Sequence, residues 1–345
     1  MKKKKNYFSK TPFVIAEISG NHGKSLSKAK KIIKLAKKIG VDAIKFQTID
    51  PNKITFNSNN KIFKINNKNN LWKGAKLFDL YKKSSINLKY QKKLFQYAKS
   101  IGLLAFSTPF HLEAVDFLES QNVPFYKIAS LENNHFPLIN KIMKTKKHIL
   151  ISTGASSEKD ITEIVKFMKK KKYREFSLLK CTSSYPASYN ELDLNCIETM
   201  KKKYKCSVGF SDHTADILAP IIAFTKGATI IEKHIKLNEN DKTIDAKFSL
   251  SIKKFSQMID QLKKTKISFG SSKIKINKGE KFANKRKRSI FAIKNIKKGE
   301  KITKYNIDCL RPGNGILPKY YYEILNKKLN RTIKAGTPIS FKIIK

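Results

Sequence analysis

Short apolar runs recur along most of this chain, and nearly every run ends in polar or charged residues. The eight runs are Phe13 to Ser19, Ala43 to Thr48, Leu104 to Phe110, Phe125 to Ser130, His148 to Gly154, Phe176 to Tyr185, Cys206 to Thr214 and Ala228 to Ile235. Strands that are buried on both faces are continuously apolar, so polar groups gathered at their carboxyl ends indicate one shared site. The pattern predicts an α/β fold, a (β/α)8 TIM barrel with its site at that end.

The segments between the runs support a barrel. Most carry the apolar periodicity of a helix, as in Ala29, Ile32, Ile33 and Ala36 with lysines between them. A doubly wound open sheet is the competing fold. Only the interval 50–85 is long, and it is rich in Asn and Lys but also contains aromatic residues. Long insertions in compact domains are functional or disordered, and the aromatic content predicts that the second half of this one packs near the barrel mouth.

The amino-acid composition of the chain changes after the eighth run. We predict a barrel domain over residues 1–265, a polar linker over 266–287 and a small β-rich domain over 288–345. The last region contains an internal repeat, residues 296–303 against 333–340, in which a Gly turn separates two short β-like segments. The loop that begins at Arg311 lies between the two copies and is able to present an arginine.

The net charge of +47 is the least expected property of this 345-residue chain. A strongly basic chain ordinarily suggests nucleic acid as a partner. However, only five of the 73 basic residues are Arg, and the lysines are spread over every predicted helix beside abundant Asn and Ile. A bias in genome composition explains this pattern, so we expect no nucleic-acid partner, and a nucleic-acid-binding protein remains the non-enzymatic alternative.

The sequence predicts neither a signal peptide nor a membrane-spanning segment. The basic N-terminus is not followed by an apolar segment of signal-peptide length, and no run approaches the ~18 apolar residues of a membrane span. We therefore expect a cytoplasmic protein without a membrane partner.

Two histidines occupy matched positions at the ends of the seventh and eighth predicted strands. His213 and His234 lie on neighbouring strands of a barrel, where two imidazoles can bind one divalent metal and leave positions open for water or substrate. Alternate residues share one face of a strand, so Glu232 faces the same side as His234. The alternative for each histidine is a hydrogen-bonded core residue.

Lys45 and Lys127 stand in otherwise apolar strands, where an uncompensated ammonium is costly to bury, so each needs an anion. Hydroxyls at other strand ends supply neutral donors: Ser107, Thr108, Ser130, Ser152, Thr153, Thr182, Ser183 and Ser211. Together these groups suit a small, multiply charged substrate such as a phosphorylated carboxylate. A barrel aldolase that forms a Schiff base on Lys127 or Lys45 is an alternative. Glu17 is the candidate acid or base, and Glu132 and Asp245 are candidate partners for sugar-type hydroxyls.

Six stretches connect the chain to a known family: Ala16 to His22, Ile44 to Thr48, Tyr126 to Ser130, Cys181 to Pro186, Gly209 to Thr214 and Ile231 to His234. In this order they resemble the sialic acid synthase family, and the resemblance covers essentially the whole chain. Residues 288–345 look like the antifreeze-like (SAF) domain that closes these enzymes. Within the family, stretches such as Asp245 to Leu250 and Gly315 to Tyr321 look most like pseudaminic acid synthases, with N-acetylneuraminate and legionaminate synthases as alternatives.

The resemblance implies the condensation of phosphoenolpyruvate with an open-chain N-acylated amino sugar. The products are a nine-carbon 2-keto sugar acid, used in cell-surface glycans, and phosphate. In family terms, His213 and His234 hold Mn²⁺, or alternatively Mg²⁺ or Co²⁺, which polarises the sugar aldehyde. Glu17 matches the carboxylate that manages protons.

The resemblance also assigns the remaining site residues. Those that match phosphoenolpyruvate-binding positions are Lys45, Thr108, Lys127, Ser130, Ser183 and Ser211. Those that match sugar-binding positions are Gln47, Glu132, Asp245 and Phe248. Arg311 matches an arginine that reaches the sugar in the partner subunit's barrel, which implies a domain-swapped homodimer.

Overall fold

The computed structural model of the chain describes residues 7–8, 11–66 and 71–345. The chain divides into two compact units, Met1–Phe269 and Gly270–Lys345. Each unit has its own hydrophobic core.

Parallel strands form the centre of the first unit. In its described part the eight barrel strands are β1 (Phe13–Glu17), β2 (Ala43–Thr48), β3 (Leu104–Pro109), β4 (Tyr126–Ile128), β5 (Ile149–Ser152), β6 (Phe176–Cys181), β7 (Ser207–Asp212) and β8 (Ile230–Lys236). The hydrogen-bonded order is β3-β2-β1-β8-β7-β6-β5-β4, and its two end strands, β3 and β4, lie beside each other. The sheet is therefore nearly closed, which confirms the predicted (β/α)8 barrel and excludes the open doubly wound sheet.

Helices alternate with the strands along the chain. They are α1 (Leu26–Ile39), α2 (Pro51–Ile54), α3 (Leu77–Ser84), α4 (Leu88–Ser100), α5 (Leu112–Ser120), α6 (Phe136–Lys144), α7 (Glu158–Lys170), α8 (Cys196–Tyr204), α9 (Leu218–Thr225) and α10 (Ile252–Ser268). A two-residue strand, β9 (Leu250–Ser251), pairs with β8 just before α10. Among the described residues, no helix has the length and apolarity needed to span a membrane.

Helix α1 shows how so many lysines are accommodated. Ser25 precedes the helix, and its side chain accepts a hydrogen bond from the backbone N–H of Lys28, which satisfies one free donor of the first turn. The buried side of the helix consists of Ala29, Ile32, Ile33 and Ala36. Because these residues recur at helical spacing, the intervening lysines face outward, where their charges remain hydrated.

The described residues of the long insertion between β2 and α4 cover part of the barrel mouth. It contains α2, an antiparallel bridge between Lys64 and Lys76, and α3. The Trp72 ring lies 5.6 Å from the Tyr185 ring and 6.2 Å from the Phe248 ring, centroid to centroid. Its second half therefore packs near the mouth, as its aromatic content predicts.

The second unit is built around an antiparallel strand pair, β10 (Ser289–Ala292) and β11 (Ile307–Leu310), with two short helices, α11 (Glu280–Lys285) and α12 (Tyr321–Ile324). The two copies of the internal repeat meet in an antiparallel bridge between Ile296 and Ile333. Helix α11 lies within the predicted linker. Its first residue, Glu280, accepts a hydrogen bond from the backbone N–H of Asn277, which precedes the helix.

Candidate active site

Four buried charged side chains meet inside the barrel at the carboxyl end of the strands, and we call Glu17, Lys45, Lys127 and Glu232 the ionic cluster. Lys45 Nζ lies 2.9 Å from Glu17 Oε2 and 2.8 Å from Glu232 Oε1. Lys127 Nζ lies 3.5 Å from the same Glu232 oxygen and donates to Ser152 Oγ at 2.6 Å. The anion that each buried lysine requires is thus supplied by the protein itself, across strands β1, β2, β4 and β8.

The cluster sets the ionisation of its own members. Burial alone raises the pKa of Glu232, but the ammonium groups of Lys127 and Lys45 lower it below its ordinary value. Burial alone lowers the pKa of Lys45, but Glu17 and Glu232 raise it overall. Burial lowers the pKa of Lys127, and its contact with Glu232 offsets this only in part. Lys127 is therefore the cation of the cluster whose charge gains most from a bound anion.

The two histidines adjoin the cluster, and their ring centroids are 5.4 Å apart. His213 Nδ1 lies 3.0 Å from the carbonyl oxygen of Thr182 and donates to it, so the free electron pair of the neutral ring is on Nε2. His234 Nε2 lies 3.3 Å from Glu17 Oε2. His234 Nδ1 is buried and has no hydrogen-bond partner among the described residues.

This arrangement fits a divalent metal ion. Burial lowers the pKa of His234 to about 3, so its imidazole is neutral near pH 7 and its unpartnered nitrogen is available as a ligand. Burial alone also lowers the pKa of His213, but Cys181 raises it overall. Within residues 11–66 and 71–345 no group of three or more His, Cys, Asp or Glu side chains is arranged to hold a metal. Water or substrate would complete the coordination of an ion held by the two imidazoles.

A cavity of about 350 Å³ opens beside His234. The sequence-predicted residues that line it are Gln47, Ser130, Glu132, Ser183, His234, Asp245 and Phe248. The insertion contributes an apolar wall that consists of Ile65, Trp72, Leu77, Leu80 and Tyr81. The cavity therefore combines a few polar groups with apolar and aromatic surface, as expected of a site for a small, largely neutral ligand.

Two carboxyl groups of this cavity form no ion pair with a lysine among the described residues, unlike those of the ionic cluster. Burial raises the pKa of Glu132 to about 7, and its Oε2 has no hydrogen-bond partner among the described residues. Burial also raises the pKa of Asp245 to about 6, although Asp245 Oδ2 accepts the backbone N–H of Gly20 at 2.8 Å. Both carboxyl groups can exchange a proton near neutral pH.

A glycine brings together two hydroxyls that line the same cavity. A Cβ on Gly154 would lie 2.3 Å from Ser183 Oγ and 2.8 Å from Ser130 Oγ, so only glycine permits this approach. The backbone N–H of Gly154 donates to Ser130 Oγ at 3.1 Å. Ser183 Oγ is buried without a hydrogen-bond partner in the described part of the chain. An unpaired buried hydroxyl beside a cavity is available to a ligand.

Three further sequence-predicted residues take different positions. Ser211 Oγ donates to Glu232 Oε1 at 2.8 Å and so belongs with the ionic cluster. Thr108 is buried at the end of β3, in register with Gln47 on β2. Arg311 is exposed in the second unit, in the loop that follows β11.

Some residues of the site have no role in the sequence prediction. Glu232 is the main one, although a glutamate inside an apolar strand and on the same face as His234 was a usable signal. Cys181 Sγ lies 3.7 Å from His213 Nδ1, and Tyr185 packs on the His213 ring with a centroid distance of 4.4 Å. Both belong to the Cys181 to Pro186 stretch, which extends past the end of β6 into the mouth.

The barrel, with its buried cluster of lysines, glutamates and histidines at the carboxyl ends of the strands, has the architecture of a (β/α)8-barrel enzyme. The NeuB family model matches residues 32–274, and the SAF domain model matches residues 287–344. The chain belongs to the NeuB family, and it ends in a SAF domain.

Individual relatives agree with this assignment. The chain is similar to pseudaminic acid synthase of Campylobacter jejuni, with 40% identity over 331 residues that cover 95% of each protein. It is 34% identical to an N,N'-diacetyllegionaminic acid synthase of the same species, over 94% of this chain and 98% of that protein. The solved N-acetylneuraminic acid synthetase of Leptospira borgpetersenii superposes with a TM-score of 0.70 at 28% identity, over 79% of this chain and 90% of that one.

Proposed function

We propose that this chain is a pseudaminic acid synthase that condenses phosphoenolpyruvate with an open-chain N-acylated amino sugar. One observation carries the proposal: two buried lysines and two histidines lie in one cluster, and one of these histidines, His234, lines a mostly apolar cavity that also contains two carboxyl groups. The first set suits a compact polyanion, and the second suits an uncharged sugar. The family membership and the 40% identity to a pseudaminic acid synthase support the same reaction.

Lys45 and Lys127 bind the carboxylate and phosphate of phosphoenolpyruvate in this proposal. In the free protein both lysines lie against Glu232 Oε1, at 2.8 and 3.5 Å. Glu232 thereby keeps two buried ammonium groups positioned before substrate arrives, which lowers the cost of organising the site on binding. Ser130, Ser183 and Ser211 add neutral donors, and the unpaired Ser183 hydroxyl is ready to donate to the substrate.

Glu17 is the proton-handling group of the proposed reaction. Its Oε2 lies 2.9 Å from Lys45 Nζ, and its Oε1 accepts a hydrogen bond from Gln47 Nε2 at 2.7 Å. Glu17 therefore stands between the anion side and the sugar side. Carbon 3 of phosphoenolpyruvate attacks the sugar aldehyde, whose oxygen takes up a proton and becomes a hydroxyl. Carbon 2 then takes up water, and its bond to the bridging oxygen breaks, so that phosphate leaves with that oxygen. Of the two protons that the water loses, Glu17 accepts one and passes it to the aldehyde oxygen, and the other leaves with phosphate.

His213 and His234 hold the divalent metal in this proposal, Mn²⁺ or alternatively Mg²⁺ or Co²⁺. When bound, the ion polarises the aldehyde oxygen as a Lewis acid. The test is metal content and turnover of the wild type and of His213→Ala, each with and without chelator. We expect the variant to lose both metal and turnover. A Schiff-base aldolase would keep its activity in chelator, so full activity of His213→Ala in chelator contradicts the metal proposal.

The identity of the sugar substrate is determined by assaying a panel of sugars. We infer that Gln47, Glu132, Asp245 and Phe248 contact the sugar, because they line the cavity beside His234. Phosphoenolpyruvate should be assayed with a 2,4-diacetamido altrose-type sugar, its mannose-type analogue, N-acetylmannosamine and arabinose 5-phosphate. Phosphate release and product mass should show the highest kcat/KM for the altrose-type sugar. A higher value for another member of the panel assigns that synthase activity instead.

We also propose a domain-swapped homodimer in which Arg311 completes the sugar site of the partner barrel. The exposure of Arg311 in a domain that follows a polar segment supports this arrangement. Mixing two inactive variants, His213→Ala and Arg311→Ala, should restore activity, because one site of each heterodimer pairs an intact barrel with an intact arginine. Labelled protomers must first show subunit exchange. Exchange without restored activity overturns the swapped arrangement.

A further inference from the structure

A second buried ion pair lies directly behind the two histidines. Asp212 precedes His213 at the end of β7, and Lys233 precedes His234 on β8. The two residues are register partners in the parallel ladder, and both side chains are fully buried (0% exposed). Lys233 Nζ donates to Asp212 Oδ2. Ser211 and Glu232 point into the barrel, so alternation along each strand directs Asp212 and Lys233 to the opposite face.

Thr214, which follows His213 in the chain, forms hydrogen bonds with both members of this pair. The backbone N–H of Thr214 donates to Asp212 Oδ1 at 2.9 Å, and its hydroxyl donates to Asp212 Oδ2 at 3.0 Å. Lys233 Nζ in turn donates to the carbonyl oxygen of Thr214 at 2.7 Å. One network therefore holds the residue before His213, the residue after it and the residue before His234.

We infer that Asp212 and Lys233 are positioning residues that set the separation and orientation of His213 and His234 for metal binding. This inference rests on the metal site of the proposed function. The two side chains touch neither the cavity nor the histidine rings, so they act through the backbone of β7, β8 and the following turn. An ion pair so deeply buried gives little net stability over well-packed apolar residues, because desolvation offsets its attraction. Its hydrogen bonds have a fixed geometry and so constrain the backbone around the two histidines, which apolar contacts cannot do.

The matched test removes both charges at once. Asp212→Asn with Lys233→Met keeps the side-chain volumes nearly unchanged, and the Asn oxygen can still accept the Thr214 N–H. The control applies the same two changes to the ion pair between Asp116 on α5 and Lys141 on α6, whose side chains are 67% and 31% exposed. Mn²⁺ and Co²⁺ affinity is measured by calorimetry, the Co²⁺ visible spectrum reports the ligand geometry, and the thermal midpoint without metal reports folding.

We expect the Asp212→Asn, Lys233→Met protein to fold, with a metal Kd raised about 10- to 100-fold, the range for groups that orient metal ligands. Its Co²⁺ spectrum should change, and the control should match the wild type in both. A folded double variant with wild-type affinity and spectrum overturns the positioning role while the metal site stands. If wild type binds no more metal than His213→Ala, the metal site fails and the positioning role fails with it.

A second variant covers the case in which the double variant does not fold. Thr214→Val keeps the volume of the side chain and the backbone hydrogen bonds to Asp212 and Lys233, but removes the hydroxyl that donates to Asp212. A weaker Mn²⁺ affinity at an unchanged thermal midpoint supports the inference. Wild-type affinity and an unchanged Co²⁺ spectrum in Thr214→Val overturn it.

Discussion

The ionic cluster and the sugar-side cavity are neighbours at one end of the barrel, yet they treat buried carboxyl groups in opposite ways. In the cluster, Lys127 and Lys45 lower the pKa of Glu232 against the effect of burial. In the cavity, burial raises the pKa of Glu132 to about 7 and that of Asp245 to about 6. Residues of one chemical type therefore differ in ionisation because only those in the cluster have an ammonium group within contact distance.

This difference separates the two halves of the proposed reaction. A region of paired, ionised groups can exchange one anion for another, so phosphoenolpyruvate can take over contacts that Glu232 makes in the free protein. A region of isolated carboxyl groups binds no anion, but it can accept or donate hydrogen bonds to hydroxyl and amide groups. The comparison predicts that removing a charge has opposite consequences on the two sides.

The largest effect is expected for Lys45→Met, because it removes the one ammonium group of the cluster that contacts both Glu17 and Glu232 at 2.9 Å or less. The free energy of unfolding should fall by about 3–5 kcal/mol, as for other broken buried ion pairs. Urea unfolding of wild type and variant measures this loss. Lys141→Met, which breaks the more exposed pair with Asp116, is the control and should change little. A Lys45→Met protein as stable as wild type would show that the cluster is not held together by its charges.

Lys127→Met should act mainly on substrate binding. The variant loses a charge-assisted contact to phosphoenolpyruvate, worth about 1.5–3 kcal/mol, which is roughly a ten- to hundredfold rise in the KM for this substrate. The KM for the sugar should stay close to that of the wild type. Steady-state kinetics with each substrate varied in turn provide the measurement. A rise confined to the sugar KM would reverse the assignment of the two sides.

Glu132→Gln should raise the free energy of unfolding at pH 8, whereas Lys45→Met should lower it. The folded-state pKa of about 7 lies above the ordinary value of 4.5, so protonated Glu132 favours the folded state. This contribution is complete below pH 4.5 and is lost as the pH rises through 7. Between pH 4.5 and pH 8 the stability of the wild type should therefore fall relative to Glu132→Gln by about 1–3 kcal/mol. Parallel urea titrations at the two pH values measure this difference, and a constant difference would mean that Glu132 has a cationic partner.

The smallest effect is expected at the apolar wall of the cavity. Trp72→Ala removes the ring that packs on Tyr185 and Phe248, and such aromatic contacts are worth about 0.5–1.5 kcal/mol. The KM for the sugar should rise by roughly two- to tenfold, with Trp72→Phe in between and the KM for phosphoenolpyruvate unchanged. Equal changes in both KM values would place Trp72 outside the sugar side and weaken the separation of the two regions.

The sequence was sufficient for the barrel and for much of the mouth. Strand runs such as Ala43 to Thr48 and the polar groups at their ends are local patterns, and a parallel barrel places every carboxyl end at one rim. Matched ends therefore bring His213 and His234 together once the strand order is known. The helical spacing of α1 likewise identifies its buried face without any tertiary information.

Only the tertiary structure decided which charges meet. Lys45 lies on β2, and its partner Glu232 lies on β8, 187 positions later in the chain; these strands are not register neighbours, and β1 lies between them. The Asp212–Lys233 pair behind the histidines and the isolation of Glu132 also depend on which distant side chains converge. Periodicity is a short-range pattern that can be identified directly in the sequence. Desolvation and ion pairing depend instead on the distances between strands, which are set only when the barrel has closed.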